Sequence, residues 1–101
     1  GANDLDVRNN IMADGDMYGM VGSDADFLFN TNNLYWNNVS GDCNGCSIGA
    51  GSLTVDPLFT TPGSDIYNLD TLTPSPAIDA GVDVGRSFNG FAPDIGYWEA
   101  P

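Results

Sequence analysis

Residues 5–12 read LDVRNNIM and residues 28–35 read LFNTNNLY, so one pattern occurs twice at a spacing of 23 residues. In both copies a short run with apolar residues is followed by two asparagines and then by a second apolar run. A further step of 24 residues reaches DPLF at 56–59, where a polar residue and a proline precede leucine. This period is about one turn of a β-solenoid and is too short for two packed helices in each repeat.

The repeat predicts an all-β chain whose short strands pair in parallel with the coils above and below, about 4.8 Å apart. Ile11, Leu34 and Leu58 are expected to stack in one inward column. The residues before them, Asn10 and Asn33, are expected at a bend, with Pro57 in the third coil. Their side chains either form a hydrogen-bonded ladder along the axis or simply mark surface turns.

The closing part of the chain contains SPAIDAG at 75–81 and DIGYWE at 94–99. Ser75 is suited to cap the amino end of a helix and Gly81 to end it in a left-handed conformation. The spacing predicts a helix of barely more than one turn, which would need a larger body to pack on. Arg86 is expected to tie this cap together by pairing with Asp79, Asp94 or Glu99.

Length and composition indicate one domain over residues 1–101. We expect coils over 1–73 with an excursion near 39–51, and the closing segment over 74–101. The net charge is −12, and Arg8 and Arg86 are the only cations. Such a polyanion repels nucleic acids and anionic lipid, so neither is an expected partner. The longest apolar runs are too short for membrane insertion.

Cys43 and Cys46 flank Asn-Gly in the expected excursion. A zinc site needs about four ligands, and the chain has no histidine or second cysteine pair. A thioredoxin-type motif requires a helix start, whereas this neighbourhood is rich in glycine. A disulfide is the favoured interpretation, and it suits an extracellular or cell-surface protein.

The NNLY, DPLF, SPAIDAG and DIG motifs occur in a fixed order at 32–35, 56–59, 75–81 and 94–96. Together they resemble the carboxyl-terminal end of secreted right-handed parallel β-helix repeat proteins, the superfamily typified by pectate lyases. The resemblance implies a right-handed parallel β-helix of three to four coils with a C-terminal cap. It also implies that further coils precede this stretch in relatives. The open first coil is therefore expected to pair with such coils or with a second copy of the chain.

Enzymes of that superfamily use lysine or arginine with carboxylate-bound calcium, or pairs of aspartates. This chain has no lysine, and Arg8 is expected on the surface, so no catalytic set is assigned. Solvated loop charge is the favoured interpretation of the aspartates, and a calcium site is the second. The candidate calcium ligands are Asp14, Asp16, Asp24 and Asp26.

Met12, Tyr35 and Phe59 occupy matching positions next to the expected inward column. They form either an outward stripe for a sugar or a protein, or a secondary core beneath a loop. The preferred function is a non-catalytic extracellular structural or adhesive β-solenoid module that stacks end to end. The alternatives are the terminal piece of a polysaccharide lyase or glycoside hydrolase, and a calcium-dependent carbohydrate-binding module.

Overall fold

The computed structural model describes residues 5–24, 27–60, 68–69, 71, 74–96 and 100. The regular secondary structure of this part of the chain is nearly all strand, with almost no helix, which agrees with the predicted all-β class. None of it could therefore cross a membrane as a long apolar helix. The six strands are β1 (Leu5–Arg8), β2 (Ile11–Ala13), β3 (Tyr18–Val21), β4 (Phe27–Thr31), β5 (Leu34–Trp36) and β6 (Gly41–Asn44).

The strands form three parallel pairs, and each pair joins a strand of residues 5–24 (the first unit) to one of residues 27–47 (the second unit). The pairs are β1 with β4, β2 with β5, and β3 with β6. Ile11 lies opposite Leu34, and Tyr18 lies opposite Gly41, so the register follows the 23-residue repeat. A bulge between Leu5 and Asp6 shifts the start of the β1–β4 pair by one residue.

The excursion expected near 39–51 is only partly present. β6 occupies Gly41–Asn44 and pairs in register with β3, so these residues belong to the second unit. Cys43 and Cys46 form the predicted disulfide at the end of this strand, with their Cα atoms 5.5 Å apart. The small side chains of this stretch suggested a loop. They are compatible with a strand because backbone pairing with β3 holds β6 in place.

A third, shorter unit begins after the disulfide, and its column residue is Leu53 rather than Leu58. Leu34 bridges Leu53 in parallel, 19 residues later in the chain. Leu58 instead has a left-handed φ of 53°, and the next residue, Phe59, bridges Leu69 in antiparallel fashion. The expectation that Leu58 continues the column was therefore wrong, since the chain has left the parallel stack before it.

The bends between strands carry stacked polar side chains, which confirms the ladder interpretation for Asn10 and Asn33. The Asn33 carboxamide oxygen accepts a hydrogen bond from the Asn10 backbone N–H at 3.0 Å. In the third unit Ser52 takes the place expected for Pro57, and its Oγ accepts from the Asn33 N–H at 3.1 Å. The residues before the ladder, Asn9 and Asn32, both adopt left-handed backbone conformations. Asparagine tolerates this conformation better than most residues.

The core lies between the β2–β5 sheet and the closing segment. Leu34, Leu69 and Ile95 are buried there, with Ile11 and Leu53 packed against them. Because side chains alternate along a strand, Tyr35 lies on the opposite face of β5 from Leu34. β5 is thus buried on both faces, since Tyr35 is also fully buried.

The closing segment forms a turn over residues 76–79 where a short helix was expected. Ser75 does cap this turn: its Oγ accepts from the Ala77 N–H at 3.1 Å and donates to the Pro57 carbonyl. The left-handed residue is Asp79 (φ 59°), not Gly81. Gly81 is required for another reason, because a Cβ there would lie 2.7 Å from the Pro93 carbonyl oxygen.

The closing segment runs back along the units instead of covering only the last one. Ser75 contacts Pro57 after the third unit, and the Ala80 carbonyl accepts from Asn32 in the second unit. Val82 then exchanges two hydrogen bonds with the Asn9 carboxamide of the first unit, at 2.7 and 2.8 Å. The predicted cap is therefore also a strap along the side of the stack.

Candidate functional site: a groove beside the first unit

A groove of about 900 Å³ lies between the first unit and the closing segment. One side is formed by residues 8–11 with Ala13 and Asp14, and the other by residues of 84–96. Ile11, Leu69 and Ile95 give the groove an apolar floor, whereas its rim is polar. The arrangement is that of a small binding cleft, with an apolar surface and a few polar groups around it.

Both cations of the chain line this groove, which is notable in a protein of net charge −12. Arg8 is held in place: its Nε and an Nη donate to the Asp6 carboxylate at 2.7 and 2.6 Å. Its guanidinium carbon also lies 4.3 Å from the centroid of the Phe29 ring. The hydrogen bonds from Arg8 lower the pKa of Asp6, and Asp6 in turn raises the pKa of Arg8.

Arg86 lies on the other side of the groove and is exposed. Among residues with described positions, no ion pair joins it to Asp79 or Asp94, two of its three predicted partners. The third, Glu99, lies outside the described residues. Arg86 therefore contributes a solvated charge to the groove, while Asp94 is buried and accepts backbone N–H bonds from Asp79 and Ala100 at 2.8 and 2.6 Å.

The edge of the first unit that faces away from the second unit, here called the upstream edge, borders the groove. The Leu34 N–H donates to the Asn10 carbonyl at 2.8 Å, and the Asp14 N–H donates to the Trp36 carbonyl at 3.0 Å. Hydrogen-bonding directions alternate along a strand, so the backbone groups of Ile11 and Ala13 point to the upstream edge. Beside them the Gly96 N–H donates to the Asn9 carbonyl at 2.7 Å.

The candidate calcium ligands are spread over two bends and are used within the fold. The Asp14 carboxylate accepts from the Asn37 side chain at 2.9 Å. The Asp24 carboxylate accepts from the backbone and hydroxyl of Ser47 at 2.7 and 3.1 Å. Asp16 is exposed, and Asp26 lies outside the described residues. Within the described ranges, no three acidic, histidine or cysteine side chains gather in a metal-binding group.

The three residues of the expected stripe do not form one. Met12 and Tyr35 are neighbours in the β2–β5 register, as predicted, but Phe59 lies beyond the parallel stack. Tyr35 is fully buried, and a Cβ on Gly19 would lie 3.0 Å from its ring. Burial raises the pKa of the Tyr35 hydroxyl, whose oxygen has no hydrogen-bond partner within the described part of the chain. The secondary-core interpretation is correct for Tyr35.

Sequence reasoning missed the groove because its two sides are distant in the chain. The link between them is Asn9, which bonds Val82 across 73 residues. One signal was present: the two arginines are the only cations, although nothing in their spacing predicted a shared site.

Comparison with known proteins adds no relative to this picture: no family model, no curated protein and no solved structure matches the chain.

Proposed function

We propose that this chain is a non-catalytic structural or adhesive module, built as a right-handed parallel β-helix and working outside the cell or at its surface. The observation that carries the proposal is the 23-residue register. Three consecutive strands of the first unit pair in parallel with the next three. Side chains at successive bends stack with the same spacing, as in Asn10–Asn33 and Asp24–Ser47.

The use of the polar side chains supports a structural role. The carboxylates of Asp14, Asp24 and Asp94 all accept hydrogen bonds within the fold. A catalytic acid or base must instead reach substrate with a suitable pKa. The Cys43–Cys46 disulfide supports an oxidising compartment, where such bonds persist.

One specific observation favours a second candidate, the terminal piece of a polysaccharide-degrading enzyme. Arg8 and Arg86 line one groove together with Asp14. Against it, the hydrogen bond to the Asp6 carboxylate raises the pKa of Arg8, which keeps Arg8 protonated and unable to accept a proton. Arg86 alone would have to abstract the proton.

The test is incubation of the full chain with acidic and neutral polysaccharides, with and without calcium. Reducing ends and unsaturated products are measured. We expect neither product, whether or not calcium is present. Release of unsaturated products that is lost in Arg86→Ala would replace the structural proposal by the enzymatic one. Isothermal titration with calcium runs in parallel, and Asp16→Asn tests any site that it reveals.

A further inference from the structure

We propose that the loop between Gly81 and Pro93 is a processing site, at which an arginine-specific endoprotease hydrolyses the Arg86–Ser87 peptide bond. The cut chain stays folded as two associated pieces, residues 1–86 and 87–101. The inference goes beyond the structural role proposed above and does not depend on it, because it concerns the covalent form of the chain.

The loop lies on the surface, and its two ends are held together. The Gly81 N–H donates to the Pro93 carbonyl at 2.7 Å, and beside this bond the Asp79 N–H donates to the Asp94 carboxylate at 2.8 Å. Between these ends, every residue of 83–91 is exposed. Exposed loops with closely spaced ends are frequently functional, and their tips are preferred sites of proteolytic nicking.

The backbone around Arg86 can enter the cleft of a protease without breaking the fold. Within the described part of the chain, residues 83–88 make no backbone–backbone hydrogen bond, and the Gly85 N–H donates to the Asp83 carboxylate at 2.8 Å. A protease binds its substrate as an extended strand, so this local turn must straighten. Gly85 has a φ of 90° and nothing within 4 Å of its Cβ position, and glycine changes to an extended conformation at little steric cost.

Arg8, the other cation of the chain, lies in a protected strand. β1 pairs with β4, and the Asn9 N–H, which belongs to the Arg8–Asn9 peptide bond, donates to the Asn32 carbonyl at 3.1 Å. The Arg8 guanidinium also donates twice to the Asp6 carboxylate. Since the chain has no lysine, Arg86 is the exposed residue of the two that a protease selecting basic side chains could use.

Recognition of Arg86 requires an acidic specificity pocket in the protease. Serine endoproteases of the trypsin type have an aspartate in this pocket. Arg86 is exposed and has no ion-pair partner in the described ranges, so its guanidinium can reach that aspartate. In the hydrolysis, a water oxygen bonds to the Arg86 carbonyl carbon, the C–N bond breaks, and a proton passes to the Ser87 nitrogen. The products are one carboxylate and one amine.

The contacts on the far side of the loop hold the two pieces together after the cut. Ile95 is fully buried in the core, and its N–H donates to the Ala77 carbonyl at 2.9 Å. The Gly96 N–H donates to the Asn9 carbonyl at 2.7 Å. Residues 87–101 are thus bound to the rest of the chain by buried apolar surface and backbone bonds, and hydrolysis frees two chain ends without releasing a fragment.

The cut also changes the groove beside the first unit. Val84, Arg86 and Ser87 contribute to one of its sides. Hydrolysis places an α-carboxylate and an α-ammonium group on this side, and the residues that carry them are no longer joined. Processing would therefore open one side of the groove.

The experiment digests the folded full chain with trypsin and follows the products by mass spectrometry. We expect the first cut at Arg86–Ser87. Cleavage after Arg8 should be at least about a hundredfold slower, because β1 must first separate from β4. Synthetic peptides of residues 4–13 and 82–91 give the intrinsic rates of the two bonds, and these rates should be similar.

Arg86→Gln is the matched variant, because it removes the specificity residue and leaves the loop in place. In the folded state it should resist trypsin, whereas chymotrypsin should still cut it first after Phe88 or Phe91, ahead of Phe27 and Phe29 in β4. Native mass spectrometry of the trypsin product should show 1–86 and 87–101 together, heavier than the intact chain by one water. The circular dichroism spectrum should be that of the intact chain.

Four results would overturn the inference. These are a first cut after Arg8, cleavage at both arginines at the same rate, no cut of the folded chain by trypsin that cleaves the 82–91 peptide, and separation of 87–101 from the remainder after the cut. None of these outcomes depends on the polysaccharide assay, so the failure of this inference and that of the proposed function can be told apart.

Discussion

The two paired units and the closing segment are held by different kinds of contact. In the units, equivalent bonds join the second unit to the first: Asn33 and Asn38 each accept from the backbone N–H 23 residues earlier and donate to the carbonyl 26 residues earlier. Among the described residues of the closing segment no bond repeats, and buried Asp94 joins Asp79 to Ala100. Repetition spreads the stability of the units over many equivalent bonds, whereas the closing segment depends on a few individual ones. Four predictions test this difference.

The largest effect is expected where the third unit crosses the second. A Cβ on Gly49 would lie 1.7 Å from the Asn30 carbonyl oxygen, and its φ is 82°. Gly49→Ala must therefore displace backbone, and we expect a loss of about 4 kcal/mol in the free energy of unfolding by urea denaturation. Gly85→Ala is the matched control: its φ is 90°, but nothing lies within 4 Å, so about 1 kcal/mol is expected. Equal losses of unfolding free energy in the two variants would contradict the close approach of Gly49 to the Asn30 carbonyl.

The next effect concerns the ladder. Asn33 is fully buried and bonds the Asn10 N–H, the Val7 carbonyl and the Asn30 side chain. Asn33→Ala leaves buried groups without partners, and a loss of about 3 kcal/mol is expected. Ser47→Ala removes one exposed hydroxyl bond to Asp24 and should cost less than about 1 kcal/mol by the same measurement. If both variants lose a similar free energy of unfolding, the Asn10–Asn33 ladder is not a main source of the stability of the fold.

A smaller, local effect is expected in the closing segment. Asp94→Asn replaces one carboxylate oxygen by an amide nitrogen that cannot accept from a backbone N–H. We expect about 2 kcal/mol of destabilisation. Amide hydrogen exchange should accelerate at Asp79 and Ala100 more than in β5. The control is Asp83→Asn, which alters only an exposed turn at Gly85. Uniform acceleration through the whole chain would show that the two regions unfold as one.

The smallest effect is the pH dependence of the Asp6–Arg8 pair. Arg8 lowers the pKa of Asp6 in the folded protein. The pair therefore contributes its full stability above the unfolded pKa of Asp6, and loses that stability as pH falls through the lower folded pKa. Titration of the Asp6 side chain by NMR should show this low pKa, and Arg8→Ala should return it toward its ordinary value. An unchanged titration in Arg8→Ala would exclude the pair in solution.

The sequence could predict those parts of the fold that depend on side-chain pattern. The spacing of the two NN pairs identified the Ile11–Leu34 register and the Asn10–Asn33 stack. It did not identify β3 and β6, because YGMV and GDCN share no pattern, and only their backbone ladder relates them. Leu53 was missed in favour of Leu58 because a constant period was assumed, whereas the third unit is shorter.

The candidate site was beyond a sequence prediction for a physical reason. Its two sides meet through side chain–backbone bonds such as Asn9 with Val82, and such bonds leave no periodic signal. Likewise, Asp14 and Asp24 looked available for calcium because their bonds to Asn37 and Ser47 depend on the fold. For Tyr35 the sequence left an exposed stripe and a secondary core open, because alternation alone does not show whether the second face of a strand is covered, and in the structure Tyr35 is buried.

The tie between Asn9 and Val82 has a consequence for how the protein comes apart. A linear stack of repeats can fray from either end, because each repeat contacts only its neighbours. Here the closing segment is fastened to the first unit, so the first unit cannot open without releasing the strap that also crosses the second unit. The closing segment thus contacts Pro57 after the third unit, the second unit and the first unit in turn, so the contacts form a closed ring. The first unit should therefore not fray separately from the closing segment, and the tie should form slowly because residues far apart in the chain must meet.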